Sequence, residues 1–153
     1  MDWATRQAMQ DREAEQRAAN NAEKSVRDAR LKDSRGLELF QQLNQWMREQ
    51  VDSYNQQMGK KLMETTVPRI VGGLDTSQSF TVSRTDHQRS PLKVIYFPES
   101  HRIKIECGAG PKEFNLVVGE DGEVYFQTPN RQRFVTIDQL GEHLLDHWNS
   151  ASI

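Results

Sequence analysis

The chain has 153 residues, a net charge of −2 at pH 7 and one cysteine. This length suits a single domain with a sizeable core and is too short for two ordinary domains. The balanced charge provides no basic field that would hold nucleic acid through counterion release. The single cysteine excludes an intramolecular disulfide and any structural zinc site that needs two or four cysteines from one chain. Neither a signal-peptide pattern nor an apolar span of about 18 residues occurs, so we expect no membrane association and a cytoplasmic location.

The first 35 residues differ in composition from the rest of the chain. Eight of them are basic, seven are acidic and seven are alanine, and proline and glycine are absent. Such side chains lose little freedom in a helix, so a polar helical extension is predicted over residues 1–35. Its apolar stripe is thin, and Asp11 and Glu15 interrupt it.

Two interpretations of this extension stay open. It is either a solvated, partly frayed helix or a helix that pairs with a protein partner or with a second copy of the chain. The side chains that would bind such a partner are Trp3, Ala8, Ala18, Ala22, Val26 and Ala29.

After Gly36, which interrupts the helical composition, a stronger apolar pattern begins. Large apolar side chains recur every three or four residues over about seven turns, which is typical of a helix with one buried face. Thr65, Thr66 and Pro68 are expected to end this helix, because the residue before a proline avoids helical geometry. The stripe consists of Leu37, Phe40, Leu43, Met47, Val51, Tyr54, Met58 and Leu62.

Beyond this helix, and until about Gln127, apolar and polar side chains alternate, which indicates half-buried strands. The run Leu92–Phe97 is apolar at nearly every position and predicts a central strand. Short turns with glycine or proline separate the segments, as in hairpins. Gly72 and Gly73 are expected to form a linker or a turn. We therefore predict an antiparallel meander of four to six strands.

A second helix is predicted near the end of the chain. Thr136 is its expected N-cap, and Gln139 three positions later completes a capping-box pattern. Gly141 within this helix costs about 1 kcal/mol relative to alanine, which indicates close packing against a neighbour. The predicted buried face contains Ile137, Leu140, Leu144 and Trp148.

These elements define an α+β fold in which a long amphipathic helix and a C-terminal helix pack on an antiparallel β-meander. The predicted domain spans residues 36–153, and the polar helical extension precedes it. The order helix, meander, helix resembles in outline the helix-on-curved-sheet arrangement of cystatin-like and helix-grip proteins. This resemblance rests on element order and implies a fold only, because function resides in particular residues.

One short stretch has the spacing of metal ligands. His143 and His147 are four residues apart and would share a helix face, and His-x-x-Asp-His is similar to the His-x-x-Glu-His motif of inverted zincin peptidases. Asp146 is shorter than the glutamate that acts as general base in those enzymes, and no third ligand is marked. A metal-dependent hydrolase using these histidines is therefore our third and lowest-ranked functional hypothesis. For the two hypotheses that rank above it, we expect no cofactor.

Two other hypotheses rank higher. The first is a non-enzymatic protein–protein interaction or adaptor module that uses the N-terminal extension, either with a protein partner or as a homo-oligomer. The second is a small apolar-ligand binding protein or an enzyme with a pocket between the long helix and the sheet. Trp46, Tyr54, Met58 and Tyr96 are the candidate lining residues. His101 is expected to face solvent in a loop, and Cys107 to be a small buried hydrophobe.

Overall fold

The computed structural model describes residues 2–70 and 76–150, so the predicted turn at Gly72 and Gly73 lies outside the described residues. Within these residues the chain forms two helices, α1 (Trp3–Met58) and α2 (Ile137–Asn149), and eight strands. The strands are β1 (Met63–Thr65), β2 (Arg69–Ile70), β3 (Gln78–Arg84), β4 (Leu92–Phe97), β5 (Arg102–Glu106), β6 (Lys112–Val118), β7 (Val124–Gln127) and β8 (Arg133–Phe134). The α+β prediction is confirmed.

The strands form one curled antiparallel sheet in the order β1-β3-β4-β5-β6-β7-β8, and β2 pairs with β3 beside β1. From β3 to β8 the sheet is the predicted meander, in which each strand pairs with the next. The prediction of four to six strands was too low. The strands β1, β2 and β8 have only two or three residues each, which is too short for a two-residue period to be recognised.

Helix α1 is continuous through Gly36, so the predicted extension and the predicted core helix are one helix. This helix ends at Met58, earlier than the predicted stop near Pro68. Gly59 adopts a left-handed conformation with φ of 70°, and its N–H donates to the carbonyls of Asn55 and Gln56. Glycine takes this C-terminal conformation without steric cost, so the helix stops there and Leu62 lies outside it.

The core lies between the inner face of the sheet and the two helices. Phe40, Leu43, Met47 and Val51 of α1 are buried, as the apolar stripe predicted. The sheet and α2 contribute the other buried side chains, which include Phe80, Val82, Val94, Tyr96, Ile103, Ile105, Phe114, Leu116, Phe126, Leu140, Leu144 and Trp148. No described helix combines the length and the apolar character that crossing a membrane requires.

Helix α2 begins as predicted. The Thr136 side chain accepts a hydrogen bond from the N–H of Gln139, and the Gln139 side chain accepts one from the N–H of Val135. The predicted close packing at Gly141 is confirmed, because a Cβ atom there would lie 2.3 Å from the Trp46 ring. This glycine therefore allows α2 to lie directly against α1.

Candidate functional site

The most extended surface of the molecule is the first half of α1. Every residue from 3 to 30 is exposed except Gln7 and Asp28, which are half-buried, whereas Leu31 packs against the core. We call residues 3–30 the projecting helix and the described residues from Leu31 onward the packed region. At 1.5 Å per residue the projecting helix is about 42 Å long.

Hydrogen bonds within the projecting helix stabilise it locally. The Asp2 carboxylate accepts a hydrogen bond from the N–H of Thr5 at 2.8 Å. Hydrogen bonding to the Thr5 side chain, and secondly to this N–H, lowers the pKa of Asp2. The Gln16 amide donates to the Asn20 side chain at 3.0 Å. Because the packed half of α1 supplies the helical nucleus, the projecting half avoids the nucleation cost that makes short isolated helices marginal.

Charge is unevenly distributed along the projecting helix and its junction with the packed region. Residues 11–23 contain four acidic and two basic residues, whereas residues 24–35 contain five basic and two acidic residues. An acid-rich segment is therefore followed directly by a base-rich segment on the same helix.

The predicted partner-binding residues all lie on the projecting helix and are exposed. Trp3 retains 70% of its accessible surface and Val26 retains 53%. Since α1 is continuous, the spacing of Ala18, Ala22 and Ala29 places these small residues on the helix side from which Phe40 and Leu43 meet the sheet. The remaining predicted residue, Ala8, is four residues beyond Ala4 on the same side.

Where the projecting helix meets the packed region, polar side chains come together. The carboxylate of Asp33 pairs with the Nε2 atom of His101 at 2.5 Å. His101 is the last residue of the β4–β5 turn and has a φ of 50°, a left-handed conformation that is uncommon outside glycine. The prediction that His101 faces solvent was wrong, because its side chain is only 20% exposed. Sequence gave no signal for this pair, which is separated by 68 positions.

A cavity of about 250 Å³ lies beside the Asp33–His101 contact, between α1 and one end of the sheet. Asp33, Leu37, Thr76, Gln78, Tyr96 and Pro98 line it. Gly36 allows the close approach here, because a Cβ atom at this position would lie 2.1 Å from the Tyr96 hydroxyl oxygen.

The structure does not bring the four predicted pocket residues together. Tyr96 is 2% exposed, stacks on Phe40 with ring centroids 5.4 Å apart, and lines the 250 Å³ cavity. Tyr54 lines a different cavity of about 300 Å³ between α1 and α2. Trp46 contacts Gly141, and Met58 is exposed at the helix end. Helical spacing placed Trp46, Tyr54 and Met58 along one helix but did not show which neighbours cover each turn.

The two candidate metal ligands contact other groups. The Nε2 atom of His143 lies 3.2 Å from the Lys112 amino group, and its ring packs 4.9 Å from the Phe134 ring. The Nε2 atom of His147 lies 3.0 Å from the carbonyl oxygen of Gly110. Among residues 2–70 and 76–150, no group of three or more histidine, cysteine, aspartate or glutamate side chains is arranged to hold a metal ion.

The environment of His143 makes the stability of the native state depend on pH. Partial burial lowers its pKa from the ordinary 6.5, and the positive charges of Lys112 and His147 lower it further. The unfolded chain therefore binds more protons than the native state below pH 6.5, and the native state loses stability as the pH falls through that range.

When the pH is lowered from about 7 to about 5, the free energy of unfolding should decrease less for His143→Gln than for the wild type. Urea denaturation at both pH values measures this difference. His87→Gln, which removes an exposed histidine, is the control and should retain the wild-type pH dependence. An identical pH dependence for His143→Gln and the wild type would contradict the expectation.

Cys107 follows β5 and is half-buried against the core, with its sulfur 3.7 Å from the carbonyl oxygen of Gly110.

The outer sheet face carries two aromatic rings covered by arginines. The Arg102 guanidinium lies 4.9 Å from the Phe97 ring, and that of Arg133 lies 5.9 Å from the Tyr125 ring.

Taken with the fold, these surfaces define an α+β protein in which two helices cover one face of a curled antiparallel sheet and one helix extends far beyond it. No protein-family model, curated protein or solved structure matches the chain.

Proposed function

We propose that the chain is a non-enzymatic interaction module whose projecting helix binds a second copy of the same helix. The observation that carries this proposal is the exposure of residues 3–30 along about 42 Å of helix that contributes nothing to the core. The half-buried, single Cys107 is compatible with a cytoplasmic location, which belongs to the same proposal.

The stripe of Ala18, Ala22 and Ala29 supports helix pairing. Small side chains allow two helix backbones to approach closely, so that dispersion contacts form along the seam. Val26 flanks this stripe and adds exposed apolar surface, which would leave water on pairing. Alanine seams bury little area, so the affinity of the proposed pair depends also on charge.

The charge distribution favours an antiparallel pair. In a parallel pair the base-rich residues 24–35 of both copies would face each other, and so would the acid-rich residues 11–23. In an antiparallel pair centred between residues 23 and 24, each acid-rich segment faces a base-rich segment, and these opposite charges attract each other. This register extends the pairing from the projecting helix to residues 31–35 at its junction with the packed region. The proposed assembly is therefore an antiparallel homodimer with the packed regions at opposite ends, and raised salt should weaken it.

Two double variants with the same charge change test this proposal. Ala18→Glu with Ala22→Glu places two carboxylates on the stripe, whereas Gln16→Glu with Asn20→Glu places two carboxylates on another side of the helix. We expect the first variant to sediment as a monomer at about 100 μM and the second to associate like the wild type.

Circular dichroism of each variant checks that the helix is retained. If the stripe variant keeps its helix and associates as strongly as the variant with Gln16→Glu and Asn20→Glu, the proposed seam is wrong.

A further inference from the structure

The hydroxyl of Tyr96, a residue that lines the 250 Å³ cavity, has no hydrogen-bond partner among the described residues. Tyr96 is 2% exposed, and its ring stacks on Phe40. Its oxygen lies against Gly36, where only the missing side chain of glycine leaves room for it. A tyrosine hydroxyl can both donate and accept a hydrogen bond, so this oxygen is available to a polar group in the cavity.

The 250 Å³ cavity around this hydroxyl is lined by one acidic side chain and several neutral ones. The Asp33 carboxylate lies on the α1 side, and its negative charge, after burial, raises the pKa of Tyr96. Gln78 and Thr76 supply neutral polar groups, while Leu37 and Pro98 supply apolar surface. No basic side chain lines this cavity within the described part of the chain.

The imidazole of His101, next to the cavity, is already paired. His101 contacts the Oδ1 atom of Asp33, which leaves the second carboxylate oxygen free of any described protein contact. The wall therefore offers hydrogen-bond acceptors on Asp33 and Tyr96, with a negative charge to favour a cationic donor.

We propose that this cavity binds a primary ammonium group carried on a short apolar body. The ammonium would donate hydrogen bonds to the Asp33 carboxylate and the Tyr96 hydroxyl, and the body would pack on Leu37 and Pro98. The cavity is smaller than the 300–1,000 Å³ typical of drug-sized ligands, so the ligand is small. This site lies in the packed region and does not depend on the proposed pairing of helices.

The test titrates the full chain with benzylammonium and monitors the backbone amide signals by NMR. We expect benzylammonium to shift the amide signals of Leu37, Gln78 and Tyr96 in a saturable way. Benzyl alcohol, which has the same body without the charge, should bind at least about tenfold more weakly. An absence of shifts up to about 10 mM benzylammonium would overturn the proposal, because even weak specific sites respond in that range.

Four variants assign the contacts. Asp33→Asn should weaken benzylammonium binding about tenfold or more, and Tyr96→Phe should weaken it several-fold. Asp28→Asn, which lies on the projecting helix away from the cavity, is the matched control and should bind like the wild type.

His101→Gln tests the Asp33 carboxylate without its imidazole partner. The substitution removes that imidazole and keeps the carboxylate, so this variant should bind benzylammonium at least as tightly as the wild type. Equal binding by Asp33→Asn and the wild type, or binding lost in His101→Gln with a retained fold, would contradict the proposed role of the carboxylate.

Discussion

Replacing Phe40 with alanine is expected to lower the free energy of unfolding by about 3–5 kcal/mol. The Phe40 side chain is fully buried, and its ring centroid lies 5.3 Å from that of Phe80 and 5.4 Å from that of Tyr96. Alanine would remove both aromatic contacts and leave a cavity between α1 and the sheet. Because small proteins are stabilised by only about 5–15 kcal/mol in total, this loss is a large fraction.

Urea denaturation followed by circular dichroism measures the loss for Phe40→Ala. Trp3→Ala is the control, because Trp3 is equally aromatic but 70% exposed on the projecting helix. Under conditions in which the chain is monomeric, this control should change the free energy by no more than about 0.5 kcal/mol. A loss below about 1 kcal/mol for Phe40→Ala would contradict the placement of its ring in the core.

Replacing Trp148 with alanine is expected to cost about 3–5 kcal/mol as well, for a different combination of reasons. Trp148 lies on α2, is 1% exposed, and donates a hydrogen bond from Nε1 to the carbonyl oxygen of Ser90 at 2.7 Å. Its removal would create a cavity between α2 and the rest of the core. It would also leave the Ser90 carbonyl without this donor.

Trp148→Phe separates these two contributions. Phenylalanine keeps most of the apolar contact but cannot donate to Ser90, so the free energy of unfolding should fall by less than for alanine. Guanidinium denaturation of both variants measures the difference. Equal losses for the two variants would contradict a contribution from packing of the ring, and a negligible loss for alanine would contradict the position of α2.

The parts of the fold that sequence predicted are those in which a local pattern repeats. Phe40, Leu43 and Met47 recur at helical spacing, and each is fully buried on the predicted face. Thr136 and Gln139 form the start of α2 through contacts within a few residues of each other. Such features depend on near neighbours in the chain, so periodicity and capping rules are sufficient to find them.

The parts that sequence did not predict depend on single residues or on distant contacts. Gly59 ends α1 through its left-handed conformation, although the apolar period continues past it to Leu62. The strands β1, β2 and β8 form by hydrogen bonding to a neighbouring strand of the sheet. They are too short for an alternation of apolar and polar residues to be recognised.

Distant contacts also explain why the sequence did not predict which side chains share a site. The proximity of Asp33 and His101 requires the whole sheet to be in place, and so does the separation of Tyr54 from Tyr96 into different cavities. Helical spacing cannot predict which turn of α1 meets α2 and which meets the end of the sheet. The exposure of the predicted partner-binding residues needed no such information, because exposure along a helix without a buried face follows from composition alone.

The measurement that tests the proposed association most directly is the molar mass of the full chain beside that of a chain lacking residues 2–28. The truncation stops before Leu31, which packs against the core, and before Asp33, which pairs with His101. Sedimentation equilibrium should give the full chain twice its mass of 17.7 kDa and should give the truncated chain a monomer mass. A monomeric full chain at about 100 μM, or a truncated chain that still dimerises, would contradict association through the projecting helix.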